Sequence, residues 1–319
     1  KVNLQIIELY QKSFILAILP LGITKKNGIK ILEWLGGMNT DYMGPLINIS
    51  EYKNIKENNI WDVINSKLNH FDVLFFQKQD KSTISFLKKI GLDIEAKSYI
   101  SSYKTSLPKE WEVFYNKKSS KTRQTDRRKY RNLKKKGNVK FILADNSKDK
   151  ISIISKMIYQ KENQYKRTNA YNMFSADEYK SFYENLINIR SEKFKIHVSA
   201  LKLNENYIAT HVGLVDKNTF YYLMPSNLSG SLGKFSPGKI LLFELIKWSI
   251  KEDIKFFDFT IGNESYKKDW CEIESSLYEL LNFYSFKGYF YVNFHYFKNK
   301  VKKFEWMKSF LQLYRRLRK

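Results

Sequence analysis

The residues best suited to chemistry begin at the tripeptide Ser236-Pro237-Gly238, which is followed by Lys239. Serine is a preferred helix N-cap because its hydroxyl can accept a backbone amide at the helix start. Proline suits the first helical position, and glycine leaves the backbone open to close approach. The amides and dipole of a helix start favour an anion, and the lysine adds positive charge. The pattern indicates either an ordinary capped helix start or a phosphate-binding turn.

The order of the segments around this turn favours the second interpretation. A strand meander precedes the helix, a short strand carrying Asp258 follows it, and Glu264-x-Tyr266-Lys267 and Trp270 come next. The string FSPGKILLFELIKWSIKEDIKFFDFTIGNESYKKDW resembles the signature of the CelD/BcsL-type (cellulose-biosynthesis-like) branch of the GNAT acyltransferases. Weaker matches fall in the family's order at Leu19-Pro20-Leu21, Asp41-Tyr42, Pro45-Leu46, Arg127-Arg128 with Leu133, and 206–213.

The resemblance implies an α/β (α+β) fold of two tandem GNAT-like halves, each with a mixed, mostly antiparallel sheet flanked by helices. It implies an acyl-CoA donor, usually acetyl-CoA. The acceptor would be an amine or hydroxyl, often on a sugar or cell-surface polysaccharide precursor. The match begins inside the first half of the family pattern and the sequence starts at Lys1, so we expect residues upstream.

The resemblance implies that the helix start and the strand from Thr219 to Met224 bind the donor. The amides of the turn would hold the pyrophosphate, and the strand would supply a backbone N–H that polarises the thioester carbonyl. The longer Q/R-x-x-G-x-G/A loop typical of GNAT enzymes is absent, and only Leu232-Gly233-Lys234 lies nearby. The donor-binding residues would be Ser236, Pro237, Gly238, Lys239, Tyr222 and Met224.

Catalysis by direct attack of the acceptor needs a base to take its proton. Asp258 is the first candidate, Glu264 the second and His211 the third, although Asp258 could equally cap the next turn and His211 could be structural. Tyr266 and Lys267 could donate to the thiolate or bind the acceptor, or they could pack in the core. Cys271 has no evident base partner, so we do not interpret it as a nucleophile.

Two segments are strongly basic. Residues 117–136 hold eleven Lys or Arg and one acid, Asp126. They form either a solvated helix face or a site for phosphate on the acceptor, in which Arg123, Arg127 and Arg128 would bind. The tail, residues 297–319, is a basic amphipathic helix that either lies on an anionic membrane or docks on the core with its lysines outward.

Composition narrows the class of protein. The net charge of +24 suits nucleic acid, an anionic membrane surface or a phosphate-bearing substrate, but broad lysine usage also explains it. No apolar run of about 18 residues predicts a membrane span. One cysteine and four scattered histidines predict neither an internal disulfide nor a metal site, and indicate a reducing, cytoplasmic location.

Alternating patterns predict elements along the whole chain. We expect a first hairpin at 2–9 and 13–21, a basic helix at 119–136, a meander at 194–224 and a helix at 236–251. A last hairpin is expected at 277–286 and 289–294. The predicted domains are 1–108, a GNAT-like half; 109–294, the half with the donor turn; and 295–319, the basic helix.

Two alternatives remain open from the sequence. A Fem-type transferase shares the doubled GNAT plan but takes aminoacyl-tRNA, and the net charge favours it, while the absence of an inserted coiled-coil arm opposes it. A non-enzymatic protein that binds nucleic acid or membranes would use the two basic segments, and its binding would fall steeply with salt.

Overall fold

The computed structural model describes residues 1–11, 13–48, 50, 59–262 and 264–302. The strands are β1 Val2–Gln11, β2 Phe14–Lys26, β3 Ile29–Trp34, β4 Leu46–Ile47, β5 Val73–Gln79, β6 Ala96–Ser106, β7 Val139–Leu143, β8 Phe194–Leu203, β9 Asn206–Asp216, β10 Thr219–Asn227, β11 Phe256–Ile261 and β12 Ile273–Phe283. The helices are α1 Ile60–Lys67, α2 Lys81–Lys89, α3 Trp111–Asn116, α4 Ser120–Lys134, α5 Ser147–Thr168, α6 Asp177–Asn185, α7 Pro237–Lys251, α8 Ser265–Trp270 and α9 Phe286–Lys302.

The chain divides into two compact units, one of residues 102–274 and one of residues 1–101 with the stretch that begins at 275. The predicted halves placed the boundary at 108 and kept 109–294 together. The structure returns the chain to the first unit at 275 because β12 pairs with β5 there, from Tyr278 opposite Gln79 to Phe283 opposite Val73. Backbone pairing across distant sequence is not visible in local periodicity.

In the first unit, β1 and β2 form the predicted antiparallel hairpin, from Val2 opposite Thr24 to Gln11 opposite Phe14. The ladder continues through β3 and β5 to β12, and β3 with β5 is its parallel pair. Alternate residues of β2 from Ala17 to Ile23 are buried, as expected of a strand with one face on a core, and Leu16 and Gly22 are buried as well. Helices α1 and α2 cover this face through Trp61, Ile64, Phe86 and Leu87.

The predicted last hairpin is wrong in its second strand, because residues 286–302 form helix α9. Many aromatic residues here suggest a strand, but Val292 is buried and Tyr291 and Tyr296 pack beside it, a helical spacing. The Ser285 hydroxyl accepts the amide of Gly288 at 3.2 Å, as at a capped helix start. The basic helix predicted from 295 therefore starts at 286, and its part beyond 302 lies outside the described residues.

In the second unit the strand order is β6-β11-β10-β9-β8-β7, antiparallel except for β10 with β11. The predicted meander, β8 to β10, is confirmed. Helix α7 is confirmed and buries its apolar side, including Leu241, Leu245 and Ile246. The predicted fold class is thus confirmed: both units carry mixed, mostly antiparallel sheets flanked by helices. Within the described residues, every helix is too short or too polar to cross a bilayer.

Candidate active site

A cavity of about 820 Å³ in the second unit is lined by β10 beyond the point where this strand parts from the parallel strand β11. Strands β10 and β11 pair over three residues, ending at Tyr221 and Asp258, and then both continue without a ladder between them. Tyr222 and Ser226 of β10 lie in the cavity wall. A gap between parallel strands exposes backbone groups to a ligand, as at other sites built in α/β sheets. Further wall residues come from 117–122, α5, the start of α7 and α8.

A β-bulge shapes the wall formed by β10. Tyr221 lies opposite Leu214 and Met224 opposite Val212, so β10 carries one more residue than β9 between these pairs. A bulge leaves backbone groups unpaired, which is how the strand can offer an N–H to a ligand. Gly213 faces the bulge, and a Cβ there would lie 2.5 Å from the Tyr221 carbonyl oxygen. The predicted donor strand therefore has the required irregularity.

Two residues of this strand, Tyr222 and Met224, are predicted to bind the donor, and one of them lines the cavity. Tyr222 lines it, and burial raises the pKa of its phenol well above the ordinary value. Met224 instead packs against a buried cluster that includes Met157 and Val212, and it is not among the lining residues. Period-two alternation could not reveal this, because the bulge shifts which side chains share a face.

The predicted helix start is in the cavity wall, but its capping differs from the prediction. Ser236 has φ 54° and ψ 57°, and its hydroxyl makes no cap hydrogen bond. That hydroxyl accepts the Lys129 ammonium at 2.8 Å. The Ser236 amide donates to the Gly233 carbonyl at 2.9 Å, and the Lys239 amide donates to the Ser236 carbonyl at 3.0 Å.

Of the three amides that the resemblance implies for the pyrophosphate, those of Ser236, Gly238 and Lys239, only the Gly238 amide is therefore available. Gly238 is the second residue of α7, where the backbone N–H has no intrahelical acceptor. A Cβ at Gly238 would lie 3.0 Å from the Asn227 side-chain oxygen, so the glycine keeps the approach open. Pro237 is buried at the first helical position and has no N–H.

The positive charge predicted beside the turn is neutralised within the protein. The Lys239 ammonium lies 2.7 Å from the Asp126 carboxylate, whose side chain is 4% exposed. Asp126 is the one acid of the basic helix α4, which explains its place in that segment. Lys118 provides a second cation, 4.2 Å above the Trp270 ring, and burial lowers the pKa of its ammonium.

The segment after β11 divides its predicted catalytic residues between the cavity and the core. Glu264 and Tyr266 line the cavity, and burial followed by the charge of Glu264 raises the pKa of the Tyr266 phenol. Lys267 is 4% exposed and does not line it. Its ammonium donates to the Ile261 carbonyl at 2.5 Å and lies 3.2 Å from Glu264, which holds this turn together. Asn263 is outside the described residues.

Two of the predicted bases are not in the cavity wall. The Asp258 carboxylate accepts the Thr260 amide at 2.7 Å, where Thr260 has φ 59°, and its other oxygen lies 3.8 Å from Lys104. Asp258 therefore caps the next turn, the structural alternative left open by the sequence. His211 is fully buried, stacked on Tyr222 at 4.8 Å, and burial lowers its pKa well below the ordinary value.

The predicted acceptor-binding arginines also lie outside the cavity wall. Arg123 donates to the carbonyls of Asn116 and Lys118 at 2.8 and 2.7 Å, closing the end of α3. Arg127 and Arg128 are exposed on α4. Arg123 and Arg127 are four residues apart and line one depression together, but this spacing alone does not show that the depression is separate from the cavity.

Lys161 is a lining residue that the sequence interpretation missed. It lies three, four and seven positions after Ile158, Met157 and Ile154, three buried residues of α5. A lysine at a core-facing position of an amphipathic helix was the available signal. Burial lowers the pKa of Lys161 to about 8, and the charge of Glu264 partly opposes this shift. A half-buried ammonium in a cavity wall with so low a pKa is a candidate acid–base group.

A buried polar network holds α5 against the two strands beside Lys161. The Gln160 side-chain oxygen accepts Ser226 at 2.8 Å and Thr210 at 3.1 Å, and its amide nitrogen donates to the Tyr207 carbonyl at 3.0 Å. Ser226 also lines the cavity. The network fixes the rotation of α5, so that the next residue faces the cavity.

Cys271 is partly buried, and burial raises the pKa of its thiol to about 12. A protonated thiol is a weak nucleophile, which agrees with the sequence interpretation. In the described ranges, no cluster of three or more His, Cys, Asp or Glu side chains is arranged to hold a metal ion.

Comparison with known families finds a likeness for the stretch that carries most of the cavity wall. Residues 120–268 match the family described as Acetyltransferase (GNAT) domain. The match covers most of the second unit, including the diverging strands and the start of α7. This stretch of the chain is therefore similar to a GNAT acetyltransferase domain. No curated protein matches the sequence.

Solved structures with the same fold have low sequence identity. FemX matches with a TM-score of 0.59 and 11% identity over 87% of this chain and 88% of that one. The C-terminal domain of a protein assigned as a lysylphosphatidylglycerol synthetase, from Agrobacterium fabrum, matches with a TM-score of 0.54 and 11% identity over 87% of this chain and 83% of that one. L-PGS from Bacillus licheniformis matches with a TM-score of 0.52 and 11% identity over 86% of this chain and 83% of that one. At this identity the likeness is one of fold, and its coverage extends over both units.

Proposed function

We propose that the protein transfers an acyl group from an acyl-CoA thioester to an amine or hydroxyl acceptor. The observation that carries the proposal is the cavity beside β10 and the start of α7, in the stretch that matches the GNAT acetyltransferase family. The diverging strands admit the extended pantetheine arm between them. The Gly238 amide and the dipole of α7 favour the donor's pyrophosphate at the cavity mouth.

The chemical step is a direct transfer. The unpaired backbone of the β10 bulge near Tyr222 donates to the carbonyl oxygen, where negative charge develops as the acceptor attacks. A C–N or C–O bond forms, the C–S bond breaks, and the acceptor's proton passes to the Lys161 amine. Tyr266 donates a hydrogen bond to the departing sulfur, which then takes up the proton held by Lys161.

Lys161 is a better base than two of those predicted from the sequence, Asp258 and His211. It is in the cavity wall, whereas Asp258 and His211 are not, and burial brings its pKa to about 8. A pKa near the working pH suits a group that must both accept and return a proton. Glu264, also in the wall, supports the ammonium form that follows proton uptake.

The nature of the acceptor remains a prediction. An acceptor on a sugar or cell-surface polysaccharide precursor follows from the CelD/BcsL-type resemblance alone. The cavity wall carries the carboxylates of Glu264 and Asp269. It also carries the ammonium groups of Lys117 and Lys118, and this mixture of charges suits a polar acceptor. The cytoplasmic location and the contact of the tail with the membrane also stay predictions.

A second candidate is an aminoacyl ester of tRNA as the donor. The observation that favours it is the 3-10 helix at Gly230–Phe235, which precedes α7 in a segment that lacks the Q/R-x-x-G-x-G/A pattern. The fold likeness to FemX and to proteins named for lysylphosphatidylglycerol synthesis supports it further. An aminoacyl ester needs no pyrophosphate site at the helix start, so the two donors make different demands on Gly238.

Calorimetry with acetyl-CoA and longer acyl-CoAs tests the proposal, using Gly238→Asp and Gly238→Asn. These substitutions differ by one charge at nearly equal size, and both meet the same Asn227 side chain. A carboxylate at a helix start stabilises the helix but repels an anion. We expect Gly238→Asp to weaken acyl-CoA binding at least about tenfold relative to Gly238→Asn, a difference of about 1.4 kcal/mol.

Absence of binding of any acyl-CoA to the unmodified protein would refute the proposed donor. Equal binding by Gly238→Asp and Gly238→Asn would refute the phosphate site at the helix start. Acyl transfer that requires charged tRNA, with no acyl-CoA binding, would establish the second candidate.

A further inference from the structure

A second depression, about 480 Å³ in volume, lies between α4 and the 3-10 helix that precedes α7. Its walls carry the ammonium and guanidinium groups of Arg128, Lys129, Lys135, Lys136 and Lys234. Neither a glutamate nor an aspartate is among its described lining residues. Such a groove concentrates one sign of charge and attracts anions.

The cations of this groove are available for a ligand. Arg128, Lys135, Lys136 and Lys234 are exposed, and none pairs with a carboxylate of the described chain. This contrasts with Lys239, which is paired with Asp126, the one acid of α4. Because that acid is used inside the protein, the outer face of α4 keeps its full positive charge.

The groove is adjacent to the candidate active site. Gly233 and Ser236 line the cavity, whereas Lys234 and Phe235, between them in sequence, line the groove. The contact between Lys129 and the Ser236 hydroxyl, 2.8 Å long, bridges the two walls. A molecule whose reactive end is in the cavity can therefore cross this short segment and place a distal part in the groove.

We propose that the groove binds the nucleotide phosphates at the far end of the acyl donor. The inference rests on the proposed function, because it assumes that the cavity receives the donor's acyl end. Both donor types considered above end in nucleotide phosphates: coenzyme A carries a 3′-phosphate on its adenosine, and an aminoacyl ester continues into an RNA backbone. Lysine and arginine side chains suit phosphate oxygens in either case.

The test measures dissociation constants for three ligands: CoA, dephospho-CoA and a short RNA hairpin ending in CCA. The groove variant is Lys135→Glu/Lys136→Glu. The matched control is Lys193→Glu/Lys195→Glu, which makes the same charge change at exposed positions outside both sites. Lys135→Gln/Lys136→Gln serves as a milder version if charge reversal impairs folding.

For a CoA donor we expect the groove variant to bind CoA about tenfold more weakly than the control. Its affinity for dephospho-CoA should stay within about twofold, since the 3′-phosphate is missing. For an RNA donor, the hairpin should show the loss instead. The slope of log K against log salt concentration for the hairpin should then become shallower by about 0.7 for each phosphate contact removed.

The outcomes separate the groove from the proposed function. If the groove variant and the control bind CoA and the hairpin equally well, the groove assignment is overturned and the acyl-CoA donor is untouched. If the unmodified protein binds the hairpin through the groove but not CoA, the groove assignment stands and the acyl-CoA donor fails. Absence of binding of all three ligands overturns both.

Discussion

Replacing Lys161 by methionine should make the protein more stable and less active at the same time. A pKa that falls from 10.5 to about 8 means that folding disfavours the charged form by about 3 kcal/mol. Methionine keeps an unbranched stem of similar length and removes the charge, so the packing of the stem is largely kept. At pH 7 we expect a gain in unfolding free energy of up to about 3 kcal/mol.

The gain has a defined dependence on pH. Below pH 8 Lys161 is charged in both the folded and the unfolded chain, so the folded state bears the whole cost of burial. Between pH 8 and 10.5 the folded state loses the proton first, and the cost shrinks. Above 10.5 both states are neutral and no cost remains. The stabilisation by methionine should therefore be greatest below pH 8 and fade towards 10.5.

The assay combines urea unfolding, followed by circular dichroism at pH 7 and at pH 9.5, with transfer activity followed by release of free thiol. Loss of a general base should lower kcat by about 10²–10⁴. Lys166→Met is the control, because Lys166 is exposed on the same helix and its removal relieves no burial. A variant that is destabilised at pH 7, or that keeps full activity, would refute the burial argument or the catalytic role, respectively.

Three further predictions test neighbouring parts of the site. The pH profile of kcat/KM should rise through an apparent pKa of about 8 and then level off, since Lys161 must be neutral to accept a proton; a flat profile from pH 6 to 9 contradicts this. Asp258→Ala should cost about 1–3 kcal/mol of stability, because it leaves the Thr260 amide unsatisfied. Asp258→Asn keeps a hydrogen-bond acceptor and should retain kcat. Loss of kcat in Asp258→Asn would restore the catalytic interpretation. Gly213→Ala should cost about 1–3 kcal/mol in thermal or urea unfolding because its Cβ would meet the Tyr221 carbonyl, and an unchanged stability would show that the bulge can move.

The fold could be predicted well where local patterns decide it. The first hairpin, the meander and α7 follow from period-two and helical repeats, and they are observed. Helix α9 was mistaken for a strand because aromatic residues have high strand propensity, whereas contacts with Ile31 and Val73 stabilise a helix there. The return of the chain to the first unit at 275 depends on strand pairing over some 200 residues, which no local pattern contains.

The sequence by itself determined the position of the helix start, the order of segments around it and the charge of α4. Tertiary structure alone decided which side chains reach the cavity. The bulge in β10 turns Tyr222 towards the cavity and leaves Met224 in the core, and the single acid of α4 neutralises Lys239. Lys161 enters the site because the Gln160 network fixes the rotation of α5. These outcomes depend on contacts between distant segments, and side-chain type and spacing describe only the segments themselves.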